Sequence, residues 1–290
     1  MRINKEKSME IWESLVLGIA QGLSEFLPIS SSGHLLILEK AGIGQENLFF
    51  NIMLHVGTLF AVLIALRKTW IPLVAQPFFA LRSKRKSNAS IKKHFECQDV
   101  FGGVSPLKID GYVLLACVPT VAFAFLFKLL FPSLLDGKLL GCGFVLTSIL
   151  LYLGENFNST KSALLSPKTS ILTGVLQGIA VLPGVSRSGA TISALTLQGV
   201  NKQAATTFSF LLSIPIIIGS ALYESIDLIS GKAAISISPW AIIVGMISAF
   251  LSGLLAIKFF LKLIQKRSIT GFAVYTLLLG IAVSVYPFFL

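Results

Sequence analysis

The side chains able to do chemistry are concentrated in two short stretches, QGLSEFLPISSSGH at 21–34 and PGVSRSGAT at 183–191. The first holds Gln21, Glu25, Ser30, Ser31, Ser32 and His34, and the second holds Ser186, Arg187, Ser188, Gly189 and Thr191. Glycine-flanked serine loops that open into a helix present unpaired backbone N–H groups and hydroxyls, a ready anion site. Arg187 adds a planar fork matched to phosphate oxygens. Gln21 and Glu25 stand four apart, on one helical face, and a carboxylate with phosphate oxygens is the usual way to hold Mg²⁺. His34 can act as acid, base or nucleophile near neutral pH. The set suits phosphoryl transfer, which needs positioning and charge neutralisation more than elaborate covalent chemistry. Each part also has a structural alternative. Serines and glycines serve close helix packing, Glu25 and Arg187 could form a buried ion pair, and His34 could be a satisfied interior histidine.

These residues need a scaffold that lipid can solvate. Of the 290 residues 54% are hydrophobic and only 13% are charged, with a mean hydropathy of +0.82. Soluble domains carry about a quarter charged residues, so this chain reads as an all-α polytopic membrane protein forming a single integral membrane domain over 1–290. The net charge of +11 is concentrated at RSKRKSNASIKK (82–93), between apolar segments. That is the pattern of a cytoplasmic loop under the positive-inside rule, not of a nucleic-acid surface. Cys97, Cys117 and Cys142 show no CxxC spacing, so neither zinc nor a disulfide framework is indicated. Walker A, HExxH and dinucleotide fingerprints are absent from the sequence. Glu13 and Gln21 interrupt the first apolar run, which argues against a cleaved signal peptide. Met9 is a candidate start.

Six segments are apolar enough to span: about 48–66, 111–131, 139–154, 204–222, 238–261 and 270–289. The stretch 70–81 is too short and is interrupted by Pro72 and Pro77, which predicts an interfacial segment. Two further apolar stretches, about 11–43 and 170–200, are broken by Pro28 and Gly33 and by Pro183-Gly184. A helix does not continue through such breaks, and irregular backbone at membrane depth must be buried in protein or line a wet cavity. Both stretches are therefore expected to be re-entrant helix–loop–helix hairpins. Lys/Arg counts put the loop at about 67–110 and the connection near 262–267 in the cytoplasm, and the acidic connection 223–237 outside. Both termini then lie outside. His55 and Asn51 fall on an ordinary span and read as packing or hydrogen-bonding groups, while His94 sits in the basic loop.

The chain also repeats itself. GIAQGLSEFLPISSSG (18–33) aligns with GVLQGIAVLPGVSRSG (174–189) at a constant offset, Gln21 with Gln177 and Gly33 with Gly189. The spans that follow, 48–66 and 204–222, run oppositely in this threading. That is the signature of an inverted-topology repeat, about 10–131 and 170–261, with a site near the bilayer midplane where the two hairpins meet.

At this point the two motifs resemble those of a known family. QGLSEFLPISSSGH and PGVSRSGAT, with FSFLLSIPIIIGS at 208–220, are similar to the undecaprenyl-diphosphate phosphatases, also called bacitracin-resistance proteins. The resemblance runs from about Glu10 to the C-terminus. It implies hydrolysis of undecaprenyl diphosphate to the monophosphate, recycling a lipid carrier for cell-wall synthesis and conferring bacitracin resistance. It also implies six spans with two re-entrant hairpins in a bacterial inner membrane, a site open to the outer face, and a divalent cation, Mg²⁺ or Ca²⁺. Carried over residue by residue, it implies Glu25, Ser31, His34 and Arg187 as catalytic groups. Ser30, Ser32, Ser186, Arg187, Ser188, Gly189 and Thr191 become phosphate ligands, and Glu25 and Gln21 metal ligands. Many members have Glu where this chain has Gln21, which removes one carboxylate from the expected metal site. Three nucleophiles stay open: Ser31 activated by His34, His34 itself, and water. The expected partners are undecaprenyl diphosphate and membrane lipids, with no nucleic acid. The sequence does not set the oligomeric state and is compatible with a homodimer. The competing class is a polyprenyl-phosphate flippase using the same midplane phosphate site, although transport alone gives no use for both Glu25 and His34.

Overall fold

The computed structural model describes residues 9–45, 47–82, 100–157, 163–229 and 237–286. The described residues form helices with no named strand: α1 (Ile11–Phe26), α2 (Ser31–Lys40), α3 (Leu48–Ala65), α4 (Arg67–Arg82), α5 (Pro106–Leu130), α6 (Leu140–Asn156), α7 (Pro167–Ile179), α8 (Arg187–Leu197), α9 (Lys202–Ile229), α10 (Pro239–Ile264) and α11 (Thr270–Val285). Four helices, α3, α5, α9 and α10, are long and apolar enough to cross a membrane, and α6 and α11 are shorter apolar helices. Large apolar side chains such as Leu114, Val118, Leu129, Trp240, Leu255 and Leu278 point outward, whereas Ser14, Gln21, Thr147, Thr191 and Ser209 are buried. This reverses the order of a soluble globule and suits a lipid surround.

Both broken stretches fold as helix–loop–helix units for local reasons. α1 stops at Phe26 because Leu27, immediately before Pro28, is extended (φ −74°, ψ 144°), the conformation that a following proline imposes. α7 ends at Ile179, and the turn through Pro183-Gly184 gives Gly184 a φ of +85°, which glycine adopts without the usual Cβ penalty. The repeat recurs in the caps that restart each hairpin. Ser30 Oγ accepts from Gly33 N at 3.3 Å and Ser186 Oγ accepts from Gly189 N at 3.0 Å.

One expected break is absent. Gly33 does not stop a helix but lies in the first turn of α2, where a Cβ would run into the Phe144 ring. Its lack of a side chain serves close approach. The prolines of 70–81 do not interrupt a helix, because α4 runs continuously through Pro72 and Pro77, and α4 is not among the helices long and apolar enough to span. The loop at 67–110 is likewise partly helical, containing α4 and the start of α5. Most of the basic run at 82–93, with His94 and Cys97, lies outside the described residues.

Small residues set how the helices interlock. A Cβ at Gly18 or Gly22 of α1 would collide with Ser248 or Ser252 and backbone of α10, and one at Gly174 or Gly178 of α7 would collide with Ala116, Pro119 or Phe123 of α5. The first arm of each hairpin therefore packs on a long helix from the other half of the chain, through a small-xxx-small pair. The contacts also fix running directions. Gly18 and Gly22 meet α10 in ascending order, as do Gly57 and Ala61 of α3, so α1, α3 and α10 run together. α9 runs against them: its Phe210 meets Phe260, late in α10, with the two rings tilted, while Ile217 and Ser220 share a cavity with His55, earlier on α3.

Candidate active site

The breaks of the two hairpins meet. Ser188 Oγ of α8 donates to Leu27 O at 3.2 Å, and Arg187 Nη2 contacts Glu25 Oε1 directly. Glu25 is buried at the end of α1, and its other oxygen, Oε2, accepts from Gln21 Nε2 at 3.0 Å and from Ser31 Oγ at 2.5 Å. Arg187 Nη1 is buried without a hydrogen-bond partner. A desolvated guanidinium N–H left unpaired is costly, and an anionic oxygen is the natural group to satisfy it.

A cavity of about 180 Å³ lies against this junction, lined by Ser24, Glu25, Ser31, Ser32 and His55, by Ser186 and Arg187, and by Ile216, Ile217 and Ser220 of α9. The first residues of α2 and α8 both border it. Within each first turn the cap bonds engage the backbone N–H of Gly33 and Gly189, leaving the N–H groups of Ser31, Ser32, Arg187 and Ser188 without intrahelical partners, as at any helix start. Two helix N-termini and a guanidinium therefore border one cavity, which makes it electropositive around the buried Glu25. Ser30 is the one non-glycine residue with positive φ among the described residues, at +73°. Such backbone strain, about 1–3 kcal/mol, collects at functional sites, and here it immediately precedes Ser31.

The family model for the bacitracin resistance protein BacA matches residues 14–282. The chain belongs to this family. Among similar proteins, one from Carboxydothermus hydrogenoformans is 36% identical over 286 residues, covering 96% of this chain and 97% of that protein. One from Methanobrevibacter smithii is 38% identical over 279 residues, covering 95% and 97%. One from Treponema denticola is 36% identical over 286 residues, covering 96% and 98%. All three are named undecaprenyl-diphosphatase.

In this BacA-family chain the structure brings together only part of the expected set. Glu25, Ser31, Ser32, Ser186 and Arg187 share the cavity. Ser30 caps α2 behind it, and Gly189 contributes its N–H to the cap of α8. Ser188 ties the two hairpins together rather than lining the cavity. Thr191 Oγ1 turns back to Arg187 O at 3.0 Å and meets Ser209 Oγ at 2.6 Å, so it holds α8 against α9. His34 is not brought to Glu25. Its Nδ1 donates to Ser30 O at 2.7 Å, its Nε2 lies 2.7 Å from the Tyr275 hydroxyl, and the ring stacks on Tyr275 and meets Phe144 edge-on.

The imidazole that does face the carboxylate is His55 of α3, whose Nε2 lies 3.9 Å from Glu25 Oε2. In the sequence it reads as a packing or hydrogen-bonding group on an ordinary span. A lone histidine on an apolar helix carries no local signal, and only the packing of α3 beside α1 reveals it. Ser24 and Ser220 are further lining residues of this kind.

These residues do not fit a resident metal ion. Glu25 is the one carboxylate in the cavity, with both oxygens engaged by Arg187, Gln21 and Ser31, and Gln21 turns its amide N–H₂, not its oxygen, toward it. Among the described residues no cluster of three or more His, Cys, Asp or Glu side chains is disposed to hold a metal. The expected Glu25 and Gln21 metal site is thus, in this geometry, an ion-pair and hydrogen-bond network.

Proposed function

We propose that this chain removes the terminal phosphate of undecaprenyl diphosphate, releasing undecaprenyl phosphate and inorganic phosphate. The observation that carries this reading is a serine hydroxyl bound to a buried carboxylate at a cavity that Arg187, whose buried Nη1 lacks a partner, also lines. It agrees with the name undecaprenyl-diphosphatase that the similar proteins carry. Ser31 Oγ attacks the terminal phosphorus, and its proton passes to Glu25 Oε2. The bond from that phosphorus to the bridging oxygen breaks, and the lipid monophosphate departs as an anion. Arg187 and the N–H groups of the two helix starts neutralise the charge that spreads over the phosphoryl oxygens. Attack by water on the resulting phosphoserine completes the hydrolysis. Of the three nucleophiles the sequence left open, the hydrogen bond to Glu25 favours Ser31, with Glu25 rather than His34 as its base. A divalent cation, Mg²⁺ or Ca²⁺, would enter coordinated by the diphosphate oxygens and supply further charge neutralisation, with no dedicated protein ligands.

The membrane reading follows the same lines. Six spans with two re-entrant hairpins, the repeats inverted, agree with the directions of α1, α3, α9 and α10. The resemblance to the family supports a bacterial cell membrane and a site open to the outer face. A flippase reading needs the phosphate site but not the Ser31–Glu25 pair. The test is phosphate release from undecaprenyl diphosphate by purified protein in detergent, where the lipid has no sides. Multiple turnovers are expected. A protein that binds the lipid and releases no phosphate would contradict hydrolysis and leave transport as the reading.

A further inference from the structure

Resting on that phosphatase reading, we propose that His55 is a second base of the reaction, which activates the water that hydrolyses the Ser31 phosphoserine. Its ring is held in one orientation. Nδ1 lies 2.8 Å from Asn51 O, and because a carbonyl can only accept, that nitrogen carries a proton. In the neutral ring Nε2 then has a free lone pair. The His55 side chain lines the cavity with 34% of its surface exposed, and Nε2 approaches Glu25 Oε2 at 3.9 Å. This is too long for a direct hydrogen bond. The groups facing it from neighbouring helices are Glu25 of α1, Arg187 of α8, and Ile216, Ile217 and Ser220 of α9. The hydroxyls, N–H groups and guanidinium at this junction donate hydrogen bonds. Nε2 is placed to accept one.

The chemistry supplies the reason for a second base. In the first half-reaction Ser31 gives its proton to Glu25, and the lipid monophosphate leaves as a stable anion with no need of that proton. Glu25 therefore starts the second half-reaction already protonated and cannot take a proton from water. Water oxygen then bonds to the phosphorus and the bond from phosphorus to Ser31 Oγ breaks. Oγ recovers the proton held by Glu25, and the proton of the attacking water goes to His55 Nε2. His55 then releases that proton to the departing phosphate or to solvent. The sum of the two halves is lipid diphosphate plus water giving lipid monophosphate plus phosphate. His34 cannot fill this role from its place between Ser30 O and Tyr275.

The test uses purified His55→Gln and His55→Ala with undecaprenyl diphosphate in detergent, each checked for a wild-type melting profile. Expected are a first turnover that releases lipid monophosphate at the wild-type rate and a steady-state rate lowered by about 10²–10³-fold. Mass spectrometry should find phosphate accumulated on Ser31, and added imidazole should restore turnover to His55→Ala. Wild-type steady-state turnover in both variants would overturn the proposal. So would a first turnover that falls in step with the steady state, with no phosphate on Ser31 and no imidazole rescue, because that marks a residue that only positions Glu25. A wild-type protein that releases no phosphate overturns the phosphatase reading itself, a result distinct from either of these.

Discussion

Glu25→Gln should lose turnover by about 10³-fold, the effect of deleting a positioned general base. The substitution keeps the shape and the hydrogen bond to Ser31 but leaves no group able to take the Ser31 proton. It also has a structural consequence. Glu25 and Arg187 do form an ion pair, with Glu25 buried and Arg187 partly so, and removing the carboxylate leaves the guanidinium without its partner, which costs stability. The melting temperature in detergent should therefore fall along with activity. Inorganic pyrophosphate should recover part of that loss, since an anion that binds only the folded state stabilises it and Arg187 is then paired again. Activity should stay low under the same conditions. Recovery of both stability and activity would mean that Glu25 serves only to hold Arg187.

Arg187→Lys should separate the two roles from the other side. Lysine can still pair with Glu25, so the melting temperature should remain close to that of the wild type. It cannot offer the second N–H that Arg187 Nη1 holds free, and an ammonium does not match phosphate oxygens as a fork does. A loss of about 10²–10³-fold is expected, as for removal of one donor to developing charge. It should fall on kcat rather than KM if the missing contact is made mainly in the transition state. Exchanging the two residues, Glu25→Arg with Arg187→Glu, restores a pair without restoring the reaction, so it should regain stability and stay inactive. Substantial activity in the exchanged protein would contradict the assignment.

The hairpins were legible because their breaks are written locally. Pro28 ends α1 by geometry and Pro183-Gly184 shapes the turn after α7, and the constant offset between 18–33 and 174–189 reappears as matching caps at Ser30 and Ser186. The Glu25–Arg187 meeting was legible as two ionisable groups in apolar stretches, each too costly to leave alone. What was not legible depended on the surroundings of a residue rather than its motif. His34 stands three residues from Ser31, yet Tyr275 and Phe144, from distant parts of the chain, capture its ring. Thr191 sits one turn inside α8, where a hydroxyl is as readily satisfied by the preceding carbonyl. Gly33 looked like a break because glycine is permissive, whereas its place against Phe144 asks only for a missing side chain. Pro72 and Pro77 carried too much weight as interruptions, since a helix among neighbouring helices can absorb the lost N–H.

The central claim is that the junction of the two hairpins is where phosphate is cut, with Ser31 as the attacking group. Phosphate release by Ser31→Ala tests it most directly, measured on protein whose melting profile matches the wild type and with undecaprenyl diphosphate in detergent. The account predicts no phosphate above the protein-free control and no covalent phosphate on the chain, while the lipid still binds through Arg187 and the two helix starts. Release at the wild-type rate would contradict it.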